Sequence, residues 1–368
     1  MMKIVLFYAS AIFTTHNHVV QSNHILYKEK VLSEQFTIAI PMAGLGTRMR
    51  PLTWSKPKPL IRLAGCTVLD YVIDQFKSLP RFSDARFVLI LGPNQEDQVV
   101  PHMKENHPDK DVHYVVQEVM RGQSDALYLA REFLQGPMLM SFSDTLIESD
   151  LSTLDEEPLD GVAWVKPVDD PRRFGVAEID ENGIIHRLIE KPKEMDNNLA
   201  VVGFYYFKNG SELMSAIEKQ MAEDISLNGE FFLVDAINLL IKNGSKMRVQ
   251  PVDIWLDAGK PDALLETNRY LLDHGHNNNK QAQQRENVLI IPPVYIHPDA
   301  EIRNSVIGPH ASISKDAVII DTVLKNSIIE QGATIKRMVL ENSLIGRNAE
   351  VHGRAEVMNI GDNSWIEI

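Results

Sequence analysis

Between Pro41 and Leu60 the chain reads PMAGLGTRMRPLTWSKPKPL, with two glycines, two arginines and two lysines in twenty residues directly after the apolar run Phe36–Ile40. Gly44 and Gly46 lack side chains, so backbone amides there can approach an anion closely, and the planar fork of Arg48 beside them suits phosphate oxygens. Lys58 follows in KPKPL, a stretch that its prolines hold extended. Together these residues form a cradle for a phosphate-bearing ligand. Two common phosphate motifs do not describe it. A dinucleotide fingerprint wants a third glycine where Met49 stands, and a P-loop ends in Gly-Lys-Ser/Thr where this loop ends Gly46-Thr47-Arg48.

The elements that must position the loop alternate along the chain. FTIAI, RFVLILG, VHYVVQ and PMLMSFSD have the apolar, β-rich character of strands, whereas TVLDYVIDQFKSL and QSDALYLAREFL carry helical spacing. Such alternation from Phe36 to about Leu272 predicts a mainly parallel sheet covered by helices, in which ligands sit at the carboxyl ends of strands. The glycine loop after Ile40 and Asp144 after LMSFS both occupy that position.

Composition narrows the classes. The 368 residues are 44% hydrophobic and 24% charged, enough for two domains, and the net charge of -13 argues against a nucleic-acid protein. Cys66 is the only cysteine, so an intrachain disulfide and a cysteine metal cluster are both excluded. No apolar run reaches the roughly 20 residues of a membrane span. A cytoplasmic protein without membrane or nucleic-acid partners is expected. The opening MMKIVLFYASAIFTT could pass for a short signal peptide, although its basic region is a single lysine; the alternative is an irregular extension, residues 1–35, before a fold beginning at Phe36.

Beyond Leu272 the pattern changes twice. DHGHNNNKQAQQRE, within a proposed linker of residues 273–287, is polar and asparagine-rich, and His274 and His276 there lack the neighbours a metal site needs. Residues 288–368 then repeat alanine, any residue, isoleucine or valine at Ala300, Ala311, Ala317, Ala333, Ala349 and Ala355. Several steps are six residues, which is the hexapeptide period of a parallel β-helix.

These motifs together resemble the sugar-1-phosphate nucleotidyltransferases, or NDP-sugar pyrophosphorylases. G-x-G-T-R-x-x-P-L-T followed by P-K-P-L is similar to that family's opening signature, and RGQSDAL, FSDT, RFGVAEID, IEKP, VVGFYYF, GEFFLVDAI and WLDAGKPDALLETN follow in the family's order. The resemblance implies a Rossmann-like catalytic domain over residues 36–272 and a short left-handed β-helix after it. It implies transfer of a nucleotidyl group from an NTP to a sugar 1-phosphate with Mg²⁺. Ala43, Gly44, Leu45, Gly46, Thr47, Gln117 and Gly122 would bind the nucleotide; Arg48, Lys58 and Lys191 would be catalytic. Gly175, Glu190, Lys191, Gly203 and Glu230 would take the sugar phosphate, and Asp144 and Asp257 the metal. Ala43 replaces the usual glycine as in uridylyl-transferring relatives, whereas PLT and PKPL resemble the thymidylyl- and guanylyl-transferring branches, which leaves the base open. Ser143 replaces the glycine of the family's metal motif. Two rivals are a hexapeptide-repeat or bifunctional acyltransferase, for which His297, His310 and His352 lack an obvious acceptor loop, and a non-catalytic sugar-nucleotide-binding paralogue. The tail, free of the matched motifs, is expected to set homo-oligomer assembly through the β-helix and to leave chemistry to the first domain.

Overall fold

The computed structural model describes residues 35–282, 285 and 287–354; the extension through residue 34 and the repeat at Ala355 lie outside the described residues. Contacts divide the protein into two compact units, and the division runs through the glycine loop. Among the described residues, the first takes those up to Leu45 and Leu69–Leu256, and the second takes Gly46–Val68 and those from Asp257 onward. Among the described residues no helix is long and apolar enough to cross a membrane.

In the first unit, the short buried runs seen in sequence become neighbouring strands. β1 (Thr37–Pro41) lies between β4 (Arg86–Leu91) and β6 (Met138–Ser141), and β5 (Asp111–Val116) lies beyond β4, all four parallel. The side chains of β1, β4 and β6 are buried almost throughout, which explains continuous hydrophobic runs in place of alternation, whereas β5 is only half-buried. β11 (Leu199–Phe207) joins β6 antiparallel, and β8 (Gly161–Pro167) runs antiparallel to β11, with β12 (Met247–Pro251) beside it. β9 (Gly175–Ile179) and β10 (Ile185–Glu190) form an antiparallel pair that sets Gly175 opposite Glu190. The sheet is therefore mixed, with its parallel half around the loop.

Helix α1 (Val68–Asp74) ends earlier than its sequence pattern suggests. Its continuation tightens into i→i+3 bonds, such as Leu79 N–H to the Phe76 carbonyl at 2.9 Å, and still buries Phe76 and Leu79. The remaining helices of this unit are α2 (Glu96–Asn106), α3 (Gln123–Leu129), α4 (Gly210–Ala222) and α5 (Leu233–Lys242). Leu233, Val234, Ala236, Ile237 and Leu240 of α5 join Leu127, Met140, Val165 and Leu188 in one core.

The second unit is built on three parallel four-stranded sheets. The first comprises Val288–Ile290, Ser305–Ile307, Val323–Lys325 and Val339–Glu341; the second Val294–Ile296, Ala311–Ile313, Ile328–Ile329 and Leu344–Ile345; the third Glu301–Arg303, Val318–Ile320, Thr334–Lys336 and Glu350–His352. Each coil contributes one strand to each sheet. Ile302, Ile319, Ile335 and Val351 stack in register, as do Ile296, Ile313 and Ile329, and Ala300, Ala317 and Ala333 are buried beside them. Corners fall at Asn304, Asp321, Asn326 and Asn342, all in the left-handed region that short polar side chains tolerate.

Three further parts belong to this unit: the hairpin of β2 (Arg62–Leu63) and β3 (Cys66–Thr67), helix α6 (Pro261–Asp273) and the turn-length α7 (Asn279–Ala282). The asparagine-rich stretch is tied to the first coil, because the Asn278 side chain accepts from Ile296 N–H at 2.9 Å and donates to its carbonyl at 2.7 Å. His310 lies 2.9 Å from Asp273.

Candidate active site

The chain leaves β1 buried at Ala43 and emerges at Gly44 and Leu45, the latter 61% exposed. A side chain at Gly44 would meet nothing within 4 Å, so its backbone faces open space. At the end of β4, a Cβ on Gly92 would stand 2.6 Å from the Ala43 carbonyl, so only glycine lets these two strand ends lie this close. Gly92 was not among the residues read as functional; its signal was the glycine closing RFVLILG.

Gln117 follows β5 and is 3% exposed. Its Nε2 donates to Asp125 at 2.8 Å and to the Gly122 carbonyl at 3.2 Å, while Arg121 donates to the other Asp125 oxygen at 2.6 Å. A carboxylate only accepts, so Asp125 fixes the amide with its NH₂ inward and its oxygen as the remaining acceptor. Gly122 has φ 104°, and a Cβ there would strike the Phe231 backbone at 2.5 Å. Asp125 lies in the matched RGQSDAL segment, yet sequence reasoning assigned it nothing, because its role appears only once helix α3 turns it toward Gln117.

Of the sugar-phosphate candidates, Gly175 and Glu190 lie on β9 and β10, and Lys191 follows directly. A Cβ on Gly175 would lie 3.3 Å from Glu190 Oε2, and Lys191 Nζ is 3.8 Å from Glu190 Oε1 and 4.4 Å from the centre of the Phe232 ring. Lys191 adopts φ 48°, an unfavourable value for a long side chain, and its N–H is held by the Phe174 carbonyl at 2.9 Å. Burial raises the Glu190 pKa, with Lys191 opposing and Asp235 and Glu230 pushing further upward. Burial likewise raises that of Asp235. Glu230 is exposed and closes a tight turn through Asn228 and Gly229, whose φ values are both positive.

Asp144 is half-buried in the turn between β6 and β7 (Thr145–Ile147). That turn is braced by Gly203, at φ 80° in an irregular stretch of β11. The Gly203 carbonyl accepts from Phe142 N–H at 3.0 Å, and a Cβ on it would penetrate the Phe142 ring at 2.1 Å. Gly203, expected from the sequence in the sugar pocket, thus also braces the Asp144 turn.

In the second unit, Gly46 has φ 59° and leads into a 3₁₀ turn, Thr47–Met49, that buries Met49 and exposes Thr47 and Arg48. The Thr53 hydroxyl donates to the Gly46 carbonyl at 2.8 Å, and a Cβ on Gly46 would crowd Thr53 at 3.1 Å and Lys58 at 3.2 Å. Lys58 opens a second 3₁₀ turn, Lys58–Leu60. Asp257 ends strand β13 (Trp255–Asp257); Gly259 N–H donates to its Oδ1 at 2.6 Å, and its carbonyl accepts from Thr267 Oγ1 at 3.0 Å. The turn reading and the ligand reading of this aspartate are compatible, since the turn orients the carboxylate.

A model described as "Nucleotidyl transferase" matches residues 39–274, and one described as "GMPPB C-terminal domain" matches residues 290–366. The chain belongs to the nucleotidyl transferase family. It is 27% identical over 354 residues to a glucose-1-phosphate thymidylyltransferase of Streptomyces griseus, covering 88% of this chain and 97% of that one. To a bifunctional protein GlmU of Methanocaldococcus jannaschii it is 32% identical over 258 residues, covering 70% of this chain and 59% of the relative. In fold it is similar to a UDP-glucose pyrophosphorylase complexed with UDP-glucose, with a TM-score of 0.56, 18% identity, and coverage of 65% and 99%.

The transferase is a sugar-1-phosphate nucleotidyltransferase, and Mg²⁺ is the metal its family typically uses. Among the described residues, one group offers three donors to a metal: Asp70 Oδ1 receives His102 Nε2 at 2.8 Å and His107 Nε2 at 2.9 Å. The Asn106 amide lies 3.2 Å from His102 Nδ1, which favours the tautomer with the proton on Nε2, donated to Asp70. This cluster satisfies itself and lacks the all-oxygen donors that Mg²⁺ takes. Asp144 and Asp257, the aspartates expected from the sequence to hold the metal, each carry carboxylate oxygens, the donor type that ion takes.

Proposed function

We propose that this transferase uses a nucleoside triphosphate whose base carries an imino N–H, thymidine or guanosine triphosphate, and couples it to glucose or mannose 1-phosphate. The observation that carries the reading is the orientation of Gln117. An amide oxygen presented to the base accepts from N3–H of thymine or uracil or N1–H of guanine, whereas adenine N1 and cytosine N3 are themselves acceptors and would repel it, so the choice of thymidine or guanosine over uridine rests on the relatives. The thymidylyltransferase relative and the GMPPB-type tail support the same choice. A screen of dTTP, GTP, UTP, ATP and CTP by pyrophosphate release tests it; turnover with ATP or CTP above that with the imino bases would overturn it.

In the proposed reaction a sugar-phosphate oxygen attacks the α-phosphorus and pyrophosphate leaves opposite. The nucleophile is already anionic at neutral pH, so alignment and charge neutralisation matter more than a base. The amides of Ala43–Thr47 receive the triphosphate, Arg48 takes the departing phosphates and Lys58 the α-phosphate. Lys191 steadies the sugar phosphate, and Glu190 accepts from sugar hydroxyls in the pocket with Gly175 and Glu230. Asp144 and Asp257 would hold Mg²⁺, which when bound neutralises phosphate charge. With one cysteine and phosphorylated substrates, the cytoplasm is the proposed compartment.

We also propose homo-oligomer assembly through the β-helix. Leu289, Val306, Val323 and Val339 stand opposite one another in successive coils, and the first, third and fourth are 60%, 42% and 78% exposed. An aliphatic ladder on one sheet face suits a second copy of the chain. Val323→Lys with Val339→Lys should reduce the particle mass in light scattering, and an unchanged mass would remove this face from assembly.

A further inference from the structure

We infer that Glu330 of the β-helix is a positioning residue for nucleotidyl transfer, holding through Lys56 the loop segment that presents Lys58. The inference rests on the reading of Lys58 as a phosphate contact. Glu330 and Lys56 are both 3% exposed at their side chains, with Lys56 Nζ 2.5 Å from Glu330 Oε1. The same oxygen accepts from Arg62 N–H at 3.3 Å. One carboxylate therefore grips the segment at both ends, with Lys58 between.

The segment between the grips is stiff. Pro57 and Pro59 restrict it, and its turn is closed by Leu60 N–H to the Pro57 carbonyl at 3.0 Å and Ile61 N–H to the Lys58 carbonyl at 3.1 Å. Glu330 is anchored in turn, because its N–H donates to the Ile345 carbonyl of the next coil at 2.9 Å. Further contacts repeat the pattern. Ala64 N–H is shared between Asn268 Oδ1 at 3.1 Å and Ser312 Oγ at 3.2 Å, and the Tyr295 ring occupies the space a Gly65 side chain would need.

Stability gives a poor account of the pair. Burial lowers the Lys56 pKa despite the opposing pull of Glu330, with Arg347 and Arg62 adding to the lowering, so the ammonium is held in a place that disfavours it. A buried ion pair is commonly no more stabilising than apolar residues of the same volume. What it supplies here is a fixed position for a loop whose neighbours act on phosphate.

The test is Glu330→Gln in the full chain, which keeps an acceptor for Arg62 and removes the charge that holds Lys56. Turnover per folded molecule should fall about 10- to 100-fold. KM for the nucleoside triphosphate should rise severalfold while that for sugar 1-phosphate stays within about twofold, a difference that loss of folded protein does not produce, because it lowers Vmax and leaves both KM values unchanged. Unchanged turnover per folded molecule would overturn the inference. If that variant does not fold, Glu330→Asp with amide exchange replaces it. Faster exchange at Leu60 and Ile61 with α6 unaffected supports positioning, and no change or a uniform rise overturns it. Lys58→Ala is run in parallel. Full activity there removes the phosphate reading of Lys58, whereas an inactive Lys58→Ala beside a fully active Glu330→Gln removes only the coupling to the coil.

Discussion

Gly203 and Glu330 illustrate how differently the two units fix a functional segment. In the sheet unit, polar side chains hold Gln117, but three other site segments are held by glycine backbones packed too close for any side chain: Gly203 against Phe142, Gly122 against Phe231, Gly175 beside Val201. In the β-helix unit, the second half of the glycine loop is held by polar side chains that reach it from the coils and α6: Glu330 to Lys56, Ser312 and Asn268 to Ala64. Close packing of glycines is insensitive to charge and fails all at once when a methyl is added. A polar clamp can be weakened gradually, by one charge or one methylene. The tail carries none of the matched motifs, and the unit that contains it also contains Gly46–Val68, with Arg48 and Lys58.

The harshest test of this contrast is to remove the coils. A chain ending at His276 loses Tyr295, Ser312 and Glu330 together, and pyrophosphate release should become undetectable even if the sheet unit stays folded by circular dichroism. Persisting turnover would support the division of labour expected from sequence, with chemistry confined to the first domain.

Next in size are the charged residues proposed to act on phosphate or metal. Asp144→Asn should lower kcat by about 10²–10³ at saturating Mg²⁺, with the melting temperature little changed. Near-normal turnover would take Asp144 out of the metal site. Arg48→Ala, at an exposed position, should likewise leave melting unchanged while stopping pyrophosphate release; parallel losses of both would make Arg48 structural.

Glycine packing in the sheet unit predicts a loss of stability. Gly122→Ala forces a side chain into a left-handed backbone and toward the Phe231 main chain, and should cost roughly 2–3 kcal/mol, read from the denaturation midpoint at constant slope. A neutral substitution would show that this backbone can yield, and the contrast with the β-helix unit would weaken.

The mildest effect is a pH dependence. Because burial raises the Glu190 pKa above its ordinary 4.5, the stability favoured by its protonated form is complete below that value and is lost as pH rises through the higher folded value. Binding runs the other way. As pH falls through the folded value Glu190 loses the charge that accepts from sugar hydroxyls, so KM for sugar 1-phosphate should rise severalfold. Glu190→Gln should flatten that part of the profile, and an identical profile in both proteins would remove Glu190 from the sugar pocket.

Much is legible in the sequence. The family, the α/β class, the coil repeat and the reaction follow from motifs whose residues are neighbours in sequence, such as Gly44-Leu45-Gly46-Thr47-Arg48, or recur at a fixed short period, such as Ala317-Val318-Ile319. Local backbone geometry and side-chain periodicity act over a few residues, so the sequence alone determines them. Tertiary structure decided the rest. Nothing in the order of residues says that Asp125 orients Gln117, that Gly203 braces the Asp144 turn, or that Glu330 accepts from Arg62 N–H across 268 positions. Those pairings arise when burial forces each polar group to find a partner, and which partner lies within reach is settled by how distant segments pack inside each unit, a property of the folded chain that no local pattern encodes.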